Sequence, residues 1–361
     1  MFIGTKNSLE TEIDYTSCEV ENSTQFNGLK MSPFKCSFTI NLTQAYTGEV
    51  KFYYGMDRFY QNNRQYLFSR NDLQLAGDID NTEDCQPLNT AFSPLLNRTV
   101  PIVPCGQIAN SMFNDSFRLF YHAPSGPDGR DIWLIPVPWT GKGVLTQREV
   151  HKKFKNPIPS DNQTYQALCD AFINTTQPPD WSRRLCDLGY GDNVGLGLEN
   201  LDFMVWMKPA ALPKFRKLYR ILDTQSSFSC ESVSTTAGYS TTTSLNDDDG
   251  DKILVYENAD ASDYDLGAPV LSCQNLTNTT FDIISDLFNT GLPAGQYTLL
   301  INYNYPVTGF NGSKTFVIAR ETWVGPQNFF LPILYLVVGT FLILVSGFFL
   351  VIWLWQRYKK D

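Results

Sequence analysis

The run FFLPILYLVVGTFLILVSGFFLVIWLW, residues 329–355, constrains this chain more than any other feature. No charge interrupts it. At about 1.5 Å rise per residue it can cross a hydrocarbon core roughly 30 Å thick. A helix buried in a soluble core is rarely apolar on every face over such a length. The run therefore predicts a transmembrane helix. Pro332 falls in its first turn, where a missing N–H does little harm. Trp353, Trp355 and Tyr358 supply an aromatic belt at the far end, and Arg357, Lys359 and Lys360 follow at once. These basic residues predict a cytosolic C-terminus, with residues 356–361 as a short tail. Gly339, Ser346 and Gly347 place small residues near one helix face. They suit either close approach of another membrane helix or ordinary lipid exposure.

Residues 1–328 are then expected on the extracytosolic side, and two independent features agree. The eight cysteines are Cys18, Cys36, Cys85, Cys105, Cys169, Cys186, Cys230 and Cys273. None forms a C-x-x-C pair, so zinc ribbons and thioredoxin chemistry are disfavoured, and an oxidising compartment allows up to four disulfides. N-x-[ST] sequons stand at Asn22, Asn41, Asn97, Asn114, Asn162, Asn174, Asn275, Asn278 and Asn311. Composition alone would supply about four. Asn114 has a second reading, because its amide can also bond locally in a turn. An extracytosolic domain ahead of a C-terminal anchor needs a signal peptide or an earlier membrane helix. The opening MFIGTKNSLETEIDY contains neither. The expectation is an upstream membrane segment that precedes Met1, with Met1-Phe2-Ile3-Gly4 as its stub.

Alternating apolar stretches predict strands at 37–42, 49–54, 131–138, 252–257, 297–303 and 314–319. Helical patterns are fewer: 145–154, 213–222 with Pro213 in the first turn, and 281–289. Aromatics make up 14% of the chain, which suits pleated surfaces. The fold class expected is mainly β: an antiparallel β-sandwich-like ectodomain with helical excursions, plus one C-terminal transmembrane helix. Residues 232–251, Ser/Thr-rich and then acidic, read as an exposed loop. A calcium loop there would need Gly where Lys252 stands and Glu where Asn258 stands.

Catalytic signatures are missing. No G-x-S-x-G elbow, P-loop or H-E-x-x-H occurs. The two histidines, His122 and His151, offer little for a metal centre or a triad. The formal net charge of −9 argues against a nucleic-acid partner. Asp170 and Asp187 are a carboxylate pair of the kind glycoside hydrolysis uses, although surface placement is the default. No catalytic residue, metal site or cofactor is expected.

Five long polar-aromatic blocks stand out instead, at 52–78, 104–117, 139–157, 202–219 and 297–340. They include Tyr53-Tyr54, Phe59-Tyr60-Gln61-Asn62, Arg64, Ser69-Arg70 and Gln74-Leu75. Pro104-Cys105-Gly106 leads into Ile108-Ala109-Asn110-Ser111 and Phe113-Asn114-Asp115-Ser116. Val205-Trp206-Met207, Ala211-Leu212-Pro213 and Phe215-Arg216-Lys217-Leu218-Tyr219 follow. Then come Asn304-Tyr305-Pro306-Val307, Phe310, Gly312, Lys314 and Trp323-Val324-Gly325. In these ordered blocks the chain resembles the cell-division-control-protein-fifty family, also called the ligand-effect-modulator family, along essentially its whole length. Two departures from the family pattern are the missing N-terminal tail and first membrane helix, and Pro326-Gln327 where Gly-Lys is usual.

The resemblance implies a non-catalytic accessory beta subunit of a type IV P-type ATPase, a phospholipid flippase. It would form a heterodimer with the catalytic subunit, contact membrane lipids, and act in assembly, export from the endoplasmic reticulum and phospholipid translocation. Residence in the endoplasmic reticulum, Golgi, endosome and plasma membrane follows from the same likeness. It also implies sequential disulfides Cys18–Cys36 and Cys85–Cys105, and leaves Cys169–Cys186 and Cys230–Cys273 as the remaining pairs among 105 possible connectivities. Phe59, Tyr60, Arg64, Trp206, Arg216, Lys217, Tyr219, Trp323, Gly339 and Gly347 are the candidate partner-binding residues. For the aromatics the structural alternative is a place in the core. For the 214–217 basic run it is a solvated helix face. Two other classes compete: a cell-surface receptor or adhesion glycoprotein, and a membrane-anchored glycan-active enzyme.

Overall fold

The computed structural model describes residues 9–18, 34–94, 96–124, 132–159, 164–189, 194–225, 227–233, 240–246, 252–255, 287–321 and 330–359. Two sheets carry the fold. Their strands, in chain order, are β1 (Leu9–Asp14), β2 (Phe34–Leu42), β3 (Val50–Asp57), β4 (Ser116–Pro124), β5 (Ile132–Pro136), β6 (Trp139–Thr140), β7 (Phe215–Leu222), β8 (Gly295–Tyr303) and β9 (Ser313–Arg320). One sheet runs β1-β9-β3-β7-β6 and the other runs β2-β8-β4-β5. In the second, β8 pairs antiparallel with β2 from Gly295↔Leu42 to Tyr303↔Phe34, and with β4 from Tyr297↔Tyr121 to Asn302↔Ser116.

The sheets face each other through aromatic rings. Phe117 of β4 lies 4.9 Å from Phe316 of β9 and 5.2 Å from Tyr219 of β7, centroid to centroid. Within the first sheet, Phe52 of β3 meets Trp139 of β6 at 5.2 Å. Each fully buried ring of this kind contributes about 2 kcal/mol through apolar burial. The antiparallel sandwich expected from alternation is therefore present. Strands cover the cores of all six predicted stretches. β3 is buried on both faces from Phe52 to Met56, which explains why apolar residues fill Val50 to Met56 apart from Lys51 and Gly55.

Helices are short. The expected one at 145–154 appears as Gln147–Lys153, begun by a reciprocal cap. The Thr146 hydroxyl and backbone N–H both donate to the Glu149 carboxylate, at 2.8 and 3.1 Å. Lys208 Nζ lies 2.7 Å from the same carboxylate. The Lys208 hydrogen bond first, then those from Thr146, hold the Glu149 pKa down to about 2.

Two sequence expectations need correction. Residues 213–222 do not form a helix: they supply strand β7. The register of β7 against β3 slips between Leu218 and Arg220, so Tyr219 is an extra residue. That bulge and two buried cations, Lys217 and Arg220, erase the period-2 pattern by which a strand is recognised. The 232–251 stretch is not all loop. Ser240–Asn246 pairs antiparallel with Ser227–Val233 and with Lys252–Val255. Its Thr-rich sequence is β-branched and favours extended backbone. The 281–289 helix falls mostly outside the described residues, and its described end, residues 287–289, is turn.

Among the described residues three disulfides are formed: Cys18–Cys36, Cys85–Cys105 and Cys169–Cys186, with Cα separations of 6.0, 5.6 and 5.1 Å. All lie within the usual range. The first two are the pairs that the resemblance implied, and the third is one of the two left by elimination. Cys273 lies outside the described residues.

The chain divides into two compact units. Thr11–Ile318 holds most of the sheet structure. The other unit carries the helix Phe330–Tyr358, whose span Ile333–Tyr358 is long and apolar enough to cross a membrane. Lys359 Nζ lies 4.2 Å from the Trp355 ring centroid, and the Arg357 guanidinium lies 5.4 Å from that of Trp353. Such pairs suit a helix end at a membrane–water interface.

Candidate functional site

The polar-aromatic blocks converge on a buried polar core within the Thr11–Ile318 unit. Asp115 and Lys314 are both fully buried in their side chains and lie 2.6 Å apart. Asp115 Oδ1 also accepts the backbone N–H groups of Asn304 and Tyr305, each at 2.7 Å. Its Oδ2 accepts the Tyr15 hydroxyl at 3.0 Å. Burial first, and then the Asp115 charge, push the Tyr15 phenol well above its ordinary pKa, so it remains a donor. Lys314 Nζ donates to the Tyr305 carbonyl at 2.5 Å and lies 3.1 Å from the Tyr303 ring centroid. One carboxylate thus joins four chain segments. Buried ions are tolerated on such terms, with every partner supplied.

A second cationic arrangement lies on β7. Lys217 Nζ donates to the carbonyls of Val205, Trp206 and Lys208 at 3.1, 2.8 and 2.5 Å. These carbonyls end the helix Leu201–Trp206, where unpaired acceptors and the helix dipole attract a cation. Arg220 forms a two-pronged pair with Asp202 at 2.6 and 3.0 Å. The Trp206 indole N–H donates to the Ile108 carbonyl at 2.7 Å, so it ties this helix to the 104–117 block.

Burial first, then the neighbouring Lys208 ammonium, lower the Lys217 pKa from 10.5 to about 7. Between those values the unfolded chain holds a proton here that the folded chain lacks. This group therefore makes stability rise with pH across that window. Lys217→Met should lose about 2 kcal/mol at neutral pH through unpaired carbonyls. It should also flatten the rise in thermal midpoint between pH about 7 and 10.5. Identical pH slopes in the two proteins would contradict the assignment.

Above this core lies an outer surface. The Phe59 N–H donates to the Pro213 carbonyl at 3.2 Å, and the Ala210 N–H donates to Gln61 Oε1 at 2.8 Å. The two loops are thereby clasped, and Tyr60 and Leu212 stand out at 61% and 66% exposure. Asn63 caps the short helix Arg64–Phe68, on which the Arg64 guanidinium lies 5.9 Å from the Phe68 ring.

The candidate partner-binding residues separate accordingly. Trp206, Lys217 and Tyr219 are buried and hold the core, a correction to their reading as partner contacts. Phe59 is half-buried among the rings of Trp206, Phe215, Tyr305 and Phe310. Arg216 is half-buried, 5.0 Å from the Tyr53 ring centroid. Tyr60 and Arg64 stay exposed. Trp323 lies outside the described residues. A Cβ added at Gly339 or Gly347 would meet nothing within 4 Å. Asp115 and Lys314, which are not among the candidate partner-binding residues, form the most enclosed ion pair among the described residues. Their signal was present as two charges inside otherwise polar-aromatic blocks.

The sequon asparagines Asn41, Asn97, Asn114, Asn174 and Asn311 are all exposed. The Asn22, Asn162, Asn275 and Asn278 sequons lie outside the described residues. Asp187 accepts from Tyr165 at 2.9 Å and from Arg184 at 3.2 Å, while Asp170 accepts from Gln166 at 2.9 Å. Each carboxylate of that pair is occupied locally.

These features define a class: a disulfide-bonded β-sandwich protein joined to a helix of membrane-crossing length. The chain belongs to the LEM3 (ligand-effect modulator 3) family / CDC50 family, whose model matches residues 1–242 and 277–359. It is 33% identical over 358 residues to Cell cycle control protein 50A of Mus musculus, covering 98% of this chain and 78% of that one. To Cell cycle control protein 50B of Homo sapiens it is 32% identical, covering 98% and 82%. A relative in Arabidopsis thaliana, Putative ALA-interacting subunit 4, is 26% identical, covering 89% and 66%.

Proposed function

We propose that this chain is the non-catalytic accessory subunit of a type IV P-type ATPase that moves phospholipid across a membrane. The observation that carries the proposal is the family match, which extends through both the sandwich and the apolar helix. The plant relative's name, an interacting subunit, supports the same reading. A subunit without reacting groups acts through binding energy. Binding the folded pump stabilises it by mass action, which favours assembly and export from the endoplasmic reticulum. Preference for one pump conformation biases the transport cycle by population shift.

In this reading residues 1–328 are extracytosolic, the sequons carry glycans, and the C-terminal tail is cytosolic. The partner surface is the exposed ridge around Tyr60, Arg64 and Leu212, together with the membrane helix. Five exposed sequon asparagines and three disulfides suit an oxidising lumen. The test is affinity purification of the full-length chain in mild detergent from its own cells. A P-type ATPase should co-purify in comparable amount. Recovery of the folded, glycosylated chain without any such ATPase would refute the proposal.

A further inference from the structure

An open cleft of about 1050 Å³ lies beside the helices Arg64–Phe68 and Asp72–Leu75. Phe68 and Leu73 line it at 67% and 60% exposure. Two large apolar side chains left wet in one concavity mark an interaction surface more readily than scattered ones do. Four charged side chains share the lining. Arg70 is answered by Asp72, at 3.1 Å. Glu83 and Asp84 are exposed and pair with no Lys or Arg among the described residues.

The frame of this cleft is held firmly. Asn71 caps the second helix through the Gln74 N–H at 2.8 Å, and its amide donates to the Glu83 carbonyl at 2.9 Å. Ser69 donates to the Gln86 carbonyl at 3.0 Å and accepts from the Gln107 N–H at 2.9 Å. Gln74 bonds the Ile102 carbonyl and the Cys105 N–H, at 3.0 and 2.8 Å. A preformed site of this kind gives up little conformational freedom on binding.

We infer that the cleft receives a basic, apolar-anchored segment of the transporter's extracytosolic surface. Its Lys or Arg side chains meet Glu83 and Asp84, and an adjacent large apolar residue packs on Phe68 and Leu73. Charge complementarity selects this occupant, because the local excess is two carboxylates and the chain as a whole carries −9. The inference rests on the accessory-subunit reading above.

The test uses full-length chain co-expressed with its ATPase and purified through a tag on this chain. The Glu83→Lys/Asp84→Lys pair should recover about tenfold less ATPase at low salt, and Phe68→Ser should also lose recovery. All three side chains are exposed, so non-reducing mobility should match the unaltered chain, and any fall in thermal midpoint should stay within the small cost of Lys at the φ +63° of Asp84. Asp78→Lys/Asp80→Lys, exposed but outside the cleft, should leave recovery intact. If the unaltered chain brings down no ATPase, the accessory-subunit reading itself fails. If it does, and the Glu83/Asp84 pair recovers as much or the Asp78/Asp80 pair loses as much, only the cleft assignment is overturned. Loss of the complex on enzymatic removal of glycans, with the cleft variants unaffected, would likewise overturn it and assign the contact to oligosaccharide.

Discussion

Asp115→Asn should destabilise the β-sandwich unit by about 3–5 kcal/mol, a large share of the roughly 5–15 kcal/mol that keeps a domain folded. The substitution is close to isosteric, so packing alone predicts little change. Electrostatics predicts the loss. Lys314 Nζ and the Tyr15 hydroxyl both donate to Asp115 Oδ2. An amide nitrogen placed there would face two donors, and the ammonium would keep no counter-charge in a site without solvent. Lys314→Met should cost a similar amount, because it strands the carboxylate. The double variant should cost clearly less than the sum, since an apolar replacement for a buried pair is often nearly neutral. Thermal unfolding of the purified full-length chain measures all three. Strict additivity would show that the pair carries no coupling energy and that its enclosure has been misjudged.

Gly106→Ala should be comparably severe, with a cost above about 3 kcal/mol, and should deplete the Cys85–Cys105 disulfide in the purified full-length chain. Gly106 sits at φ +94°, a backbone conformation that L side chains rarely adopt. An added Cβ would also collide with the carbonyl of Ser69, and a backbone atom cannot swing aside. Ser69 holds its place by accepting from Gln107 and donating to Gln86, so displacement spreads into the walls of the cleft. Gly48→Ala is the matched control. Gly48 has φ +92° with nothing within 4 Å of the added atom, so it should lose only about 1 kcal/mol of backbone strain. Equal midpoints for the two variants would mean that the close approach of Ser69 is not a constraint.

Several strands were legible because one physical rule governed them. In β8 the run Tyr297–Tyr303 presents apolar residues to a sandwich interior, and hydrophobic pattern suffices to locate it. The helix at Gln147–Lys153 was legible from the helical pattern of 145–154, while the contact of Thr146 with Glu149 that fixes its start is seen only in the structure. β7 was not. Its Lys217 and Arg220 look like a solvated basic face, and only their partners, the carbonyls after Val205 and the Asp202 carboxylate, explain why they are buried. The candidate surface was half legible. Tyr60 and Trp206 are both aromatic residues in unusual blocks, yet one is exposed and the other enclosed.

Taken alone, the order of residues determined the apolar membrane-length helix, the β-rich character, the even set of cysteines and the family pattern. These depend on composition and on short periodicities, which local chemistry controls. Tertiary structure decided which charges are buried and which aromatics face outward. Asp115 and Lys314 stand 199 positions apart, and the cleft's Phe68, Glu83 and Gln107 come from three separate loops and helices. Such meetings are set by how sheets and loops close on one another, and that free energy depends on all the partners at once.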